Sequence, residues 1–534
     1  MSSNTEEPIV MTEDERLPGR IEGGIDAIVI GAGADGLTAA SYLGRAGLKT
    51  VLVGARGEIG GRIAERNIAE NISVIDGEHL VTNLDPDVID ELDLYRHGLE
   101  FSSRRLDTTY FFDGGDVLKF DGNPSQAALL SLEEDNDREN FEIFLNEMLE
   151  LSEQLRPLFS MSSFSEKDGG RKVEKLIAAL PSEMTQSVTQ AIMGNTDTIL
   201  KARLGESPLR VLLLTEAAFR SGVPPFEAYS FMNLIRRFSG EAAGLQGAVA
   251  YPKGGVISVI TALRRAAQQA NVDVRAATPV QSILIEADRV AGVTLKDGGQ
   301  LRAPIVVAAI DAQRTFVDMI GPKMIDIELQ RILTAGTQKY CSARLHVLLK
   351  GVAEDDATRQ NLTRRLVFAP TAENLAAAFI DARAGRVPKK LILEAVFPSA
   401  LDEGASLDKK QLLSVIAHPL PFEADPSDDR RDEIKKAILQ NLEAFAADIS
   451  DRAEIIDLQL PADEVKNSGA TPGALASKPD ILQQWAISRT VTDAARIGGL
   501  FFCGPEAQIG SGISCAAGRA AAKAALRAYK KGGA

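Results

Sequence analysis

Gly31, Gly33 and Gly36 stand in the order G-x-G-x-x-G between an apolar run at 27–30 and an Ala- and Leu-rich run at 37–46. Glycines at this spacing suit the pyrophosphate of a dinucleotide. The first permits a tight turn, the second lets phosphate approach the backbone, and the third lets helix and strand pack closely. The helix that follows offers free N–H groups and a positive dipole end to the phosphates. The motif is weak alone and strong inside a strand–turn–helix–strand unit near the N-terminus, as here. The next strand-like run, 50–53, ends where such a unit places an acid for a ribose, and this chain has Gly54 there. Glu58 comes too late in the chain to take its place.

Other residue types point away from other chemistries. Cys341, Cys503 and Cys515 are widely spaced with no Cys-x-x-Cys pair, so neither a disulfide framework nor a dithiol centre is expected. Cys503, beside Gly504, reads as a small buried hydrophobe. His79, His97, His346 and His418 have no ligand spacing, so no metal is expected. No Ser-His-Asp set or adjacent carboxylate pair stands out, and no catalytic residue is assigned.

The elements that must position the glycines follow from length and pattern. A chain of 534 residues exceeds one ordinary core, which predicts two domains. A net charge of -15 and a pI near 5.0 argue against nucleic acid or an anionic membrane as an electrostatic partner. No apolar run approaches the ~18 residues of a membrane-spanning helix. Residues 1–23 are acidic and polar, without the marks of a secretory signal or a mitochondrial presequence, and read as a disordered tail on a cytoplasmic protein. Residues from about 125 to 245 read as largely helical, with apolar residues at three- and four-residue steps. A second organised region opens at Gly254 and Gly255 with a helix at 256–270. Strands follow near 272–275, 280–286, 289–295 and 305–309, with a turn at Asp297-Gly298. Residues 331–460 read as strands and loops with one amphipathic helix at 431–449. The last 35 residues return to strand, glycine loop and helix.

These pieces resemble a family. "DAIVIGAGADGLTAASYLGRAGLKTVLV", "EIGGR", "DELDLYRHGLEF", "YPKGGVISVITAL", "VQSILIEADRVAGVTLKDG" and "GGLFFCGPEAQIGSGISCAAGRAAA" look like the phytoene-desaturase-like FAD-dependent oxidoreductases. Within them the chain most resembles the pyridine nucleotide-disulfide oxidoreductase domain-containing proteins, although it lacks a redox dithiol. The motifs keep family order across nearly the whole chain. The resemblance implies an α/β fold: a Rossmann-like FAD-binding domain of the glutathione-reductase and amine-oxidase type, with an interleaved α+β substrate domain. The implied FAD domain is discontinuous (24–100, 245–330 and 490–530), and 101–244 with 331–489 form the substrate domain. Carried over by position, Gly31, Gly33 and Gly36 would hold the pyrophosphate, and Arg56, Gly60, Gly61 and Arg62 would pass along the same cofactor. Val280 would meet the adenine through its backbone. Gly504, Glu506, Gly512 and Ile513 would border the flavin end.

The chain departs from the family pattern at Gly54, at Gln508-Ile509 where relatives often read His-Pro, and at "NSGATPGALAS", which lacks a common Gly-His pair. A lost hydrogen bond to a charged group costs about 1.5–3 kcal/mol, which predicts weakened rather than absent FAD binding. The implied reaction is hydride removal from a C–H bond of a lipophilic, polyene- or lipid-like small molecule. Peripheral membrane contact and oligomeric state stay open. Amine oxidation is disfavoured, because "AISRTVTDAARIGG" offers no aromatic cage and the chain has one Trp. The competing expectation is a catalytically degenerate binding or scaffold protein that keeps the flavoprotein fold with weak or no FAD.

Overall fold

The structure is a computed structural model and describes residues 24–120, 135–160, 178–179, 184–334, 340–351, 359–402, 410–471, 484, 497–507 and 512–530. The acidic tail, Gln508 to Gly510, Trp485 and most of "NSGATPGALAS" lie outside the described residues.

Five short strands build a parallel sheet: β1 (Ala27–Ile30), β2 (Thr50–Val53), β3 (Asp273–Arg275), β4 (Ile305–Ala308) and β5 (Leu500–Phe502), in the order β3-β2-β1-β4-β5. Every residue of β1, β2 and β4 is buried, which accounts for their continuous apolar runs: helices pack on the sheet, and strand Arg289–Leu295 also contacts β4. Ala27 pairs with Thr50 on one side and Ile305 on the other, so two segments far apart in sequence flank the first strand. Three helices cover the sheet: α1 (Ala34–Arg45), α2 (Ile257–Gln269) and α3 (Ala516–Lys530), and both α2 and α3 pack on α1. A Cβ at Gly36 would stand 1.8 Å from the Gly31 carbonyl oxygen, so the start of α1 meets the turn before it only because position 36 has no side chain.

A second sheet of seven strands runs in the spatial order 453–459, 340–350, 410–421, 392–396, 365–369, 108–112 and 117–120. Its neighbours are antiparallel except for the pair Arg365–Ala369 and Thr108–Phe112. The two strands from 108–120 lie outside the strands read from sequence, and they extend this sheet. Helices Asp135–Ser160, Met184–Met193, Pro208–Ala218 and Phe231–Ser239 share an apolar core with one end of that sheet.

The region 331–460 holds more helix than expected: the helix read at 431–449 runs Asp428–Leu442, and a short helix, Pro398–Leu401, is added. Besides the helix Asp428–Leu442, capped by Ser427, it also holds Ala372–Arg383, whose first turn is capped by the Thr371 hydroxyl. Its sequence, "AENLAAAFIDAR", is made mostly of strong helix formers, so propensity carried a signal that apolar spacing did not.

Candidate functional site

The C-terminal ends of parallel strands are where an open α/β sheet leaves a crevice, and a cavity of about 330 Å³ lies there. Ile30 and Gly31 at the end of β1, Val53 and Gly54 at the end of β2, Ala309 and Ile310 after β4, and Cys503 after β5 form one wall. The opposite wall comes from the seven-stranded sheet, through Ser342, Ala343 and Arg344 on strand Tyr340–Lys350 and Ile416 on strand Lys410–Pro421.

Nine of the twelve residues singled out in the sequence line this cavity: Gly31, Gly33, Arg56, Gly60, Gly61, Arg62, Val280, Gly512 and Ile513. The other three, Gly36, Gly504 and Glu506, stand beside it. Gly36 packs under the turn, and a Cβ at Gly504 would meet the Ile310 carbonyl oxygen at 2.0 Å. The Glu506 carboxylate accepts a hydrogen bond from the Ala312 backbone N–H at 3.0 Å.

The glycine wall has the features a phosphate requires. Gly33 is the N-cap of α1 and no side chain caps that helix, so its first N–H groups open toward the cavity. A Cβ at Gly33 would have nothing nearer than the Gly61 Cα at 3.8 Å, so it would occupy cavity space and not packed protein. The turn at 60–61 is braced from both sides: Gly60 N–H donates to the Ala32 carbonyl at 2.9 Å, and Arg56 Nη1 donates to the Gly61 carbonyl at 2.9 Å. Gly54, Thr278 and Val280 line the same cavity beyond the glycine turns.

Gly54 itself is tied by its backbone. Its N–H donates to the Arg275 carbonyl at 2.8 Å, and its carbonyl accepts from Thr278 N–H at 2.7 Å. Glu58 lines the same cavity, but its side chain is more than half exposed and pairs with Arg56 at 3.3 Å.

Charged groups that the sequence reading did not single out line the same cavity. Asp35, in the first turn of α1, accepts from Gly518 N–H at 2.8 Å, and burial pushes its carboxyl up to about 6. Glu78 is held at about 2 despite its burial, because the Arg220 guanidinium grips it, with one contact of 2.7 Å. Arg62 pairs with Glu464 at 2.9 Å. Arg344 is 4% exposed and donates from Nη1 to Ser414 Oγ at 3.2 Å.

From Ser414 a chain of buried polar groups runs away from the cavity. His79 Nδ1 lies 3.1 Å from Ser414 Oγ and its Nε2 lies 3.0 Å from Glu394. Glu394 pairs with Arg365 at 2.6 Å, Arg365 with Glu216 at 2.7 Å, and Glu216 with Arg237 at 2.9 Å. The chain ends at a second, smaller cavity of about 70 Å³ walled by Leu145, Leu213 and Phe238. Cys503, which lines the main cavity, is buried, and burial together with the nearby Asp35 carboxyl pushes its thiol up, so it is no nucleophile.

Comparison with known proteins agrees with this architecture. Residues 36–314 match the family model described as flavin containing amine oxidoreductase, and residues 202–464 match that of the FAD dependent oxidoreductases. Pyridine nucleotide-disulfide oxidoreductase domain-containing protein 2 of Mus musculus is 22% identical over 96% of this chain and 95% of its own. A phytoene desaturase (neurosporene-forming) of Rhodobacter capsulatus is 26% identical over 54% of this chain and 53% of its own. Among solved structures, a putrescine oxidase double mutant superposes with a TM-score of 0.61 at 14% identity, covering 95% of this chain and 99% of that one. Cyclohexylamine oxidase from Brevibacterium oxydans gives a TM-score of 0.56 at 18% identity, over 95% and 99% of the two chains. The first family model covers more than half of the sequence, and the chain belongs to the flavin-containing amine oxidoreductases, a family of FAD-dependent oxidoreductases.

Proposed function

We propose that this member of the flavin-containing amine oxidoreductase family binds FAD along the glycine wall and removes hydride from a C–H bond of a lipophilic small molecule held against the opposite wall. The single observation that carries the reading is the cavity, which joins the uncapped start of α1 to a second sheet that presents the apolar Ile416 beside Arg344. When bound, FAD supplies a two-electron acceptor for the hydride. The protein's own residues bind, orient and exclude water.

In this reading Gly31, Gly33 and the N–H groups of α1 hold the pyrophosphate, with Gly36 setting the spacing of helix and strand. Arg56 keeps the Gly60–Gly61 turn in place, and Arg62 stands beside it. Val280 borders the adenine. Gly504, Glu506, Gly512 and Ile513 shape the flavin end, and Glu506 does so indirectly, by fixing the backbone at Ala312. Residues 24–100, 245–330 and 490–530 then make the cofactor domain, and 101–244 with 331–489 the substrate domain. The lining carboxylates are occupied: Glu58, Glu78 and Glu464 are ion-paired, Asp35 accepts a backbone N–H, and Asp311 accepts from Arg314 N–H and from Thr471. None of them stands free as a base, which suits an oxidation driven by the cofactor and by positioning. Among the described residues no helix is long and apolar enough to cross a membrane.

The test is anaerobic. Purified FAD-loaded protein mixed with a panel of long-chain unsaturated compounds and of primary amines should lose flavin absorbance with a lipid- or polyene-type compound. Bleaching by amines alone would reverse the substrate assignment.

A further inference from the structure

Among the described residues, two of the arginines lining the main cavity form no ion pair: Arg314, which donates to the Gly469 carbonyl, and the buried Arg344. Arg56, Arg62 and Arg220 each form an ion pair, with Glu58, Glu464 and Glu78. Arg344 lines the same cavity at 4% exposure, yet no carboxylate of the described residues lies within ion-pair distance. Its hydrogen bond is the one from Nη1 to Ser414 Oγ. A guanidinium carries five N–H donors in a fixed fork that matches a carboxylate with two parallel bonds. Glu78, Glu464 and Asp76 stabilise the Arg344 charge from beyond ion-pair distance, but none of them occupies the fork, and a buried guanidinium with open donors suits a ligand.

The position of Arg344 argues against the cofactor as its target. The phosphate-binding features belong to the wall made by α1 and the turns after the parallel strands. Arg344 rises from the antiparallel sheet opposite, between Ala343 and the apolar strand that continues through Leu345. Ser414, which orients it, is itself fixed by His79 from behind, so the guanidinium is held by a layer of buried groups and not by chance packing.

We propose that Arg344 reads an acidic oxygen pair on the substrate, so that the molecule oxidised here is a lipophilic acid, an apolar body ending in a carboxylate. Ile416, which is in register with Arg344 on the neighbouring strand, meets the apolar part, and the Arg344 fork meets the acid. This rests on the reading of the cavity as a substrate-oxidising site, and it names the substrate class for that site. At neutral pH the guanidinium remains charged, since burial lowers it only to about 10.

The experiment is calorimetric titration of FAD-loaded protein at pH 7.5 with decanoate and, separately, with 1-decanol. The parent should bind decanoate at least tenfold more tightly than the alcohol. Arg344→Gln should lose ten- to a hundredfold in decanoate affinity, roughly the effect of one charge-assisted contact, with decanol and FAD affinities unchanged. If Arg344→Gln does not fold, Arg344→Lys keeps the charge without the fork and is expected to lose about three- to tenfold for decanoate alone. Equal binding of acid and alcohol by the parent would overturn the role of Arg344 and leave the lipophilic reading standing. Binding of neither would overturn both. A variant that loses FAD while keeping decanoate would assign the arginine to the cofactor and sink the proposal.

Discussion

Gly54 is the residue at which the chain departs most plainly from a dinucleotide site, and the structure shows what restoring an acid would meet. A Cβ there would lie 3.1 Å from the Ala32 Cβ and 3.6 Å from Ile59 Cδ1, and the glycine is not among those with a positive φ. A side chain is therefore tight but allowed by the backbone. Gly54→Glu is expected to tighten FAD binding by somewhat less than the 1.5–3 kcal/mol of a charged hydrogen bond, the shortfall being the cost of shifting Ala32 by a few tenths of an ångström. Titration of apo-protein with FAD, followed by flavin fluorescence quenching, measures the difference. Weaker binding by the Glu variant than by the parent would reject the placement of the ribose at this strand end. Single residues of this kind were readable in advance, because a glycine pattern reports a local backbone need. Arg344, Glu78 and Asp35 were not, because what marks each of them is a partner, or the lack of one, that lies hundreds of residues away or across a cavity.

At the scale of elements, three strands of the second sheet carry a buried charge in an apolar setting: Arg344 in "YCSARLHVLLK", Arg365 in "RLVFA" and Glu394 in "ILEAV". A charge inside a fully buried strand must find a partner across the sheet, and Glu394 and Arg365 find each other at 2.6 Å. That interruption was the sequence signal for the polar layer behind the cavity. The strands Thr108–Phe112 and Val117–Phe120 gave less warning, since short strands at a sheet edge depend on neighbours that the chain supplies only much later. Glu394→Gln leaves Arg365 with Glu216 as its one ion-pair partner and sets a neutral amide in place of the carboxylate that faces His79. Breaking a buried pair from one side costs about 3–5 kcal/mol. Urea denaturation should therefore show a clearly lower midpoint for this variant at unchanged slope. A midpoint equal to the parent's would mean that the layer is not a structural unit.

For the whole molecule, the parallel sheet gathers strands from residues 27–53, 273–308 and 500–502, and the seven-stranded sheet gathers the stretches between them. The cavity exists only because both sheets present a wall to it, which is why the glycine motifs foretold one wall and said nothing of the other. Gly33 separates the claim about binding from the claim about folding. It is extended at φ -83 and ψ -175, and a Cβ there touches nothing closer than 3.8 Å, so Gly33→Val should fold with the parent's melting temperature. Its side chain would stand where a pyrophosphate must approach the backbone. FAD titration of parent and Gly33→Val, each checked for folding, is the most direct measurement. The parent should bind FAD and show the flavin spectrum, and the variant should fold and bind none. A folded variant that binds FAD as the parent does, or a parent that FAD cannot reconstitute, would contradict the assignment of this cavity to the cofactor.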